Sequence, residues 1–139
     1  MTNAFFDTNV LIYLFQAEEN EKRGRAYSAY NRHRRAGGVV LSAQVLNEFF
    51  AVVTRKTGLA MKLDAATAAV ESLATNKILP LNVDLTFAAI ARSRVSRFSF
   101  WDALIVEAAL AGRAEVLYTE DLQHGQIIDG LRVENPFLN

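Results

Sequence analysis

Short, wholly apolar runs recur along this sequence, and a stretch with helical spacing follows each of the first ones. Ala4-Phe5-Phe6, Val39-Val40-Leu41 and Val116-Leu117-Tyr118 contain no alternation of polar and apolar residues, the pattern of a strand buried on both faces. Such strands joined by helices make a parallel sheet with helices packed on either side. The expected architecture is therefore an α/β fold, a three-layer α/β/α sandwich around a central parallel sheet. With 139 residues, 51% of them hydrophobic and 22% charged, the chain has the size of a single domain spanning 1–139 and enough apolar mass for one packed core.

The punctuation between the runs predicts the helices. Thr8 opens a short one, and a polar helix over 20–36 ends with His33, Arg34 and Arg35 before Gly37-Gly38. Ser42 is an N-cap for a helix bearing Val45, Leu46, Phe49, Phe50, Val52 and Val53. Further helices are expected over 64–76 and from Asp84 to about Val95, separated by a short strand at 78–81 that Pro80 assigns to an edge. Ser99 begins a helix that is apolar on nearly every side and closes at Gly112. A last strand is expected at 131–133, and Phe98 and Trp101 are expected in the core.

Composition narrows the chemistry. The absence of cysteine excludes disulfides and thiolate zinc sites, and two histidines are too few for an imidazole-rich centre. Any metal must be held mainly by oxygen, which favours magnesium, manganese or calcium. Fifteen basic residues balance fifteen acidic ones, so contact with nucleic acid has to come from local patches. Two are available: Lys22, Arg23, Arg25, Arg32, Arg34 and Arg35, and the group Arg92, Arg94 and Arg97 just upstream of Asp102. The apolar N-terminal run is interrupted by Asp7 and Asn9 and is too short to span a bilayer. A cytoplasmic protein with no membrane contact is expected.

In open parallel sheets ligands bind beyond the carboxyl ends of the strands. Asp7 and Asp121 follow strands there, Glu48 lies in the helix after the second strand, and Asp102 lies in the first turn of the apolar helix. Each has an ordinary structural alternative. Asp7 would cap its helix, Glu48 would sit at a solvent boundary, Asp102 would complete a capping box with Ser99, and Thr119 with Asp121 would form a turn. Gathered in one crevice, the four would repel one another and raise their pKa values unless a dication were present.

Four blocks in order bear on that choice: Phe6-Asp7-Thr8-Asn9-Val10-Leu11-Ile12-Tyr13, Ser42-Ala43-Gln44-Val45-Leu46-Asn47-Glu48-Phe49, Trp101-Asp102-Ala103-Leu104-Ile105-Val106-Glu107-Ala108-Ala109 and Leu117-Tyr118-Thr119-Glu120-Asp121-Leu122. Together they resemble the successive signatures of PIN-domain nucleases, and most closely the VapC-type toxins of bacterial toxin-antitoxin pairs. The resemblance implies a PIN-like fold and makes Asp7, Glu48, Asp102 and Asp121 an acidic quartet for magnesium or manganese. It adds Thr119 and Asn9 as supporting polar positions. Glu120 stands beside Asp121, and the resemblance leaves open which of the two is the fourth acid. The implied activity is cleavage of RNA by water at one or two bound ions, leaving 5′-phosphate and 3′-hydroxyl ends. The implied partners are an RNA substrate, a VapB-type antitoxin and a second copy in a homodimer. Such an antitoxin would use a groove near Tyr13, Leu14, Phe15, Phe49 and Phe50.

Two other acid-pocket enzymes fit less well. A haloacid-dehalogenase-like phosphatase needs a second aspartate where Asn9 stands, and a phospho-receiver needs a late lysine, whereas no lysine follows Lys77. The remaining alternative is a degenerate PIN domain that binds RNA or protein without cutting it.

Overall fold

The computed structural model describes residues 2–16 and 18–138. Its elements run β1 (Ala4–Phe6), α1 (Thr8–Leu14), α2 (Glu21–Arg35), β2 (Val39–Ser42), α3 (Ala43–Val53), α4 (Leu63–Leu73), β3 (Lys77–Leu79), α5 (Val83–Val95), α6 (Phe100–Ala111), β4 (Val116–Tyr118), β5 (Ile127–Ile128) and β6 (Leu131–Glu134). The expected α/β sandwich is what forms: a six-stranded sheet in the order β3-β2-β1-β4-β6-β5, flanked by helices. Every pairing is parallel except that of β5 with β6.

The one antiparallel pair lies at the edge of the otherwise parallel sheet. Asp129 and Gly130 both have positive φ, at 49° and 88°, and turn the chain in two residues, the geometry that joins twisted antiparallel strands. Pro80 does follow an edge strand, since β3 ends the sheet on its side.

The capping residues explain why the helices start where they do. Asn20, Ser42, Asn82 and Ser99 each accept a backbone N–H three residues on, from Arg23, Val45, Leu85 and Asp102 respectively, satisfying a donor that the first turn leaves free. Layer packing is equally local in cause. Phe6 stacks on Tyr118 at 4.8 Å and meets Tyr30 and His33 of α2 edge-on, so α2 closes one face of the central strands. On the other face α6 passes so near the sheet that a Cβ at Gly112 would lie 2.5 Å from Val40 Cγ1 and 2.9 Å from Leu79 Cδ2. Only glycine ends the helix there without displacing the Val40 and Leu79 side chains.

The strand order places the site. After β1 the chain moves outward to β2 and β3, then returns to the opposite side of β1 to lay down β4. Order therefore reverses between β1 and β4, and a crevice opens beyond their carboxyl ends. Phe6 and Tyr118 are register partners there, so Asp7 and Thr119 are the first residues beyond the ladder on either side.

Candidate active site

Asp7 occupies the head of that crevice and is the N-cap of α1. Its Oδ1 accepts the Thr8 amide at 2.7 Å, and its Oδ2 accepts the Thr119 hydroxyl at 2.8 Å. The capping alternative and the site alternative thus coexist in one side chain. Burial pushes the Asp7 carboxyl up to about 6 against the lowering effect of those two hydrogen bonds, and the negative fields of Asp121 and Glu48 raise it further. Three of the four predicted acids are therefore electrostatic neighbours.

Thr119 is buried and links the first and last of them. While its hydroxyl donates to Asp7, the same oxygen accepts the Asp121 amide at 3.1 Å. Glu120 turns elsewhere: its Oε2 meets Lys22 Nζ at 3.2 Å and its Oε1 accepts from the Tyr13 hydroxyl at 3.4 Å. Of the adjacent pair, Asp121 is the one whose charge acts on Asp7.

Glu48 projects from α3 toward α1, where the Thr8 hydroxyl donates to its Oε2 at 3.4 Å. A residue that sequence reasoning missed holds its other oxygen. Gln44, one turn earlier and 4% exposed, donates from Nε2 to Glu48 Oε1 at 2.7 Å and to the Trp101 carbonyl at 3.5 Å. Both neighbours are acceptors, which fixes the amide's orientation and leaves Gln44 Oε1 buried without a partner among the described residues. The signal was its place one helical turn before Glu48 on the same face.

The Trp101 carbonyl also shows where Asp102 stands. The first turn of α6 abuts the Gln44 side of α3, with Asp102 at the third position of the turn and its amide capped by Ser99. Asn9 is exposed on α1. Among the described residues, no three acidic or imidazole side chains lie close enough to share one ion as they stand.

The basic groups differ in what they bind within the chain. Arg92 is consumed as a clamp, paired with Glu107 of α6 and, at 2.7 Å, with Asp129 of the β5–β6 turn. Its charge is thereby shared with two carboxylates of this chain. Arg94 and Arg97 are exposed and have no ion pair among the described residues. On α2, Lys22, Arg23 and Arg25 pair with Glu120, Glu19 and Glu21, and Arg34 bonds Asn76 and Thr75, the behaviour of a solvated structural face. Trp101 is 62% exposed rather than in the core. Phe49 is fully buried and unavailable to a groove, whereas Phe50 is exposed.

Comparison with known proteins identifies the family and the fold. The family model of the PIN domain matches residues 4–128. Among solved structures, the chain is similar to a toxin-antitoxin complex from Klebsiella pneumoniae, at 23% identity and a TM-score of 0.70 over 96% of this chain and 98% of that one. It is similar to VapC20 of Mycobacterium tuberculosis, a sarcin-ricin loop cleaving toxin, at 22% identity and a TM-score of 0.62 over 86% and 90%. DNA-bound VapBC from Salmonella typhimurium matches at 19% identity and a TM-score of 0.66 over 98% and 99%. At these identities the likeness is one of fold. No curated protein matches the chain in sequence.

Proposed function

The chain belongs to the PIN-domain family, and from that premise we propose that it is a metal-dependent endoribonuclease, the toxin of a type II toxin-antitoxin pair. The observation that carries the reading is the state of Asp7: a buried carboxylate at the switch point of the sheet, raised to about 6 and facing the charges of Asp121 and Glu48. An arrangement that repels itself in this way is relieved by a hard dication.

The donor set suits magnesium or manganese. Magnesium takes one or two carboxylates directly and keeps several waters, so spaced acids fit it without a closed cage. The orphaned Gln44 Oε1 is an acceptor that such a water would serve. Asp7, Glu48, Asp102 and Asp121 would hold the ion, which when bound supplies activation of water and neutralises charge at the phosphodiester. The chain's own residues do the orienting. Thr119 and the Thr8 amide aim the two oxygens of Asp7, and Gln44 with Thr8 aims Glu48. Hydrolysis would leave 5′-phosphate and 3′-hydroxyl ends.

Arg97 is the cation we assign to the RNA backbone, close in sequence to Asp102 and beside the exposed Trp101. A second copy of the chain would use α5. Val83, Phe87 and Ile90 form one helical stripe, 67%, 66% and 40% exposed, with Asp84 near one end and Arg94 near the other. Two antiparallel copies would cover the apolar surface and set unlike charges together. A VapB-type antitoxin completes the proposal, by analogy with the complexes among the similar structures.

The decisive experiment incubates total RNA with purified protein in Mg²⁺ or Mn²⁺. Cleavage should vanish in EDTA and in Asp7→Asn; full activity in that variant would end the nuclease assignment. The open spacing of the acids favours one rival, a degenerate PIN domain that binds without cutting. A melting temperature unmoved by Mn²⁺, together with RNA binding but no cleavage, would establish it instead.

A further inference from the structure

The segment after β4 carries two adjacent acids, and the structure separates them. Glu120 and Asp121 stand in a bend beyond β4, where the Glu120 side chain meets α1 and α2 while the Asp121 amide bonds back to Thr119. Glu120 is fixed by a bracket assembled from three distant parts of the chain. Lys22, in the first turn of α2, reaches its Oε2 at 3.2 Å, and Tyr13 of α1 donates to its Oε1 at 3.4 Å. Lys22 Nζ also bonds the Tyr13 hydroxyl at 3.2 Å and lies 5.1 and 5.0 Å from the ring centroids of Tyr13 and Phe137. Those two rings meet edge to face at 4.9 Å, so the ammonium is held between an aromatic pair as well as by its ion pair.

An ion pair this exposed contributes little to stability; cation–π contacts add modestly to it. Its consequence is orientation. With Glu120 drawn toward α2, Thr119 holds the following residue on the other side: its hydroxyl donates to Asp7 and its oxygen accepts the Asp121 amide. Released from the bracket, the longer Glu120 side chain could roll inward instead.

We propose that Lys22, backed by Tyr13 and Phe137, is a positioning residue that holds Glu120 out of the acid pocket and so makes Asp121 the member of the pair that serves it. The proposal rests on the reading of the pocket as a divalent-cation site. Glu120 is then a competing acid held aside, and removing it leaves the pocket as it is.

The test is Mn²⁺ binding to the full chain by titration calorimetry, with melting temperatures in EDTA to verify folding. Asp121→Asn should weaken Mn²⁺ by roughly tenfold or more, while Glu120→Gln stays within about twofold of wild type. In Lys22→Met/Asp121→Asn the freed Glu120 should substitute, so that the double variant binds roughly threefold or more tightly than Asp121→Asn alone. Tyr13→Phe in place of Lys22→Met should act in the same direction, and Lys22→Arg, which keeps the cation, should give no rescue of Asp121→Asn. A merely structural lysine would lower affinity in every background and rescue nothing. The proposal is overturned if the double variant binds no better than Asp121→Asn, or if Glu120→Gln is as damaging as Asp121→Asn. Wild-type affinity in Asp121→Asn would overturn this proposal and leave the cation to Asp7, Glu48 and Asp102, whereas no Mn²⁺ binding by the wild-type chain would overturn the cation reading and this proposal with it.

Discussion

Asp7 is the residue at which stability and chemistry oppose each other. Its carboxyl stands at about 6 in the folded protein against an ordinary 3.8, so without metal the native state holds a proton that the unfolded chain has released. The folded state is therefore favoured at low pH and loses stability as pH rises from about 4 to about 6. Asp7→Asn should remove that slope and, at pH 7.5 in EDTA, raise stability by about 1–3 kcal/mol, measured by denaturant unfolding across the pH range. His33 works in the other direction. Burial lowers its pKa, and the unfolded chain takes up the proton first as pH falls below 6.5, which destabilises the fold. The difference between wild type and variant isolates Asp7 from this opposing slope, and an Asp7→Asn protein less stable than wild type in EDTA would contradict the account.

At the scale of elements, caps and strand ends were readable because their causes are local. Asn20, Ser42 and Ser99 each do what a short polar residue before an apolar run does. Asp7 and Asp121 could be placed beyond strand ends from the runs before them, although which of Glu120 and Asp121 faces the pocket depends on Lys22, 98 residues from Glu120. The β5 strand is two residues long, too short to show a period, yet Asp129-Gly130 between Ile128 and Leu131 was a hairpin signal within reach. Trp101 was misplaced because a helix apolar on all sides reads as buried throughout, whereas the first turn of α6 projects past the layers. Arg92 could not be paired in advance, since Glu107 and Asp129 come to it only through packing. That clamp joins α5, α6 and the β5–β6 turn with little solvent exposure at Arg92. Arg92→Ala should cost about 1.5–3 kcal/mol, against less than about 0.5 kcal/mol for Arg94→Ala or Arg97→Ala. Equal effects of all three in urea unfolding would refute the distinction.

For the whole molecule, the α5 stripe is an exposed apolar surface that no other described element covers. If a second copy covers it, Phe87→Glu should convert a dimer to a monomer in sedimentation equilibrium while leaving the far-ultraviolet circular dichroism unchanged. A wild-type chain that sediments as a monomer would discard this assembly. Sheet order has a consequence of another kind. The first strand made, β1, lies between β2 and β4, and the last predicted acid, Asp121, is tied to the first, Asp7, through a hydroxyl 112 positions away from it. While the chain is being synthesised, one flank of β1 stays open until β4 has left the ribosome. A copy that ends before Thr119 therefore carries Asp7 without the hydroxyl that holds it, and without Asp121.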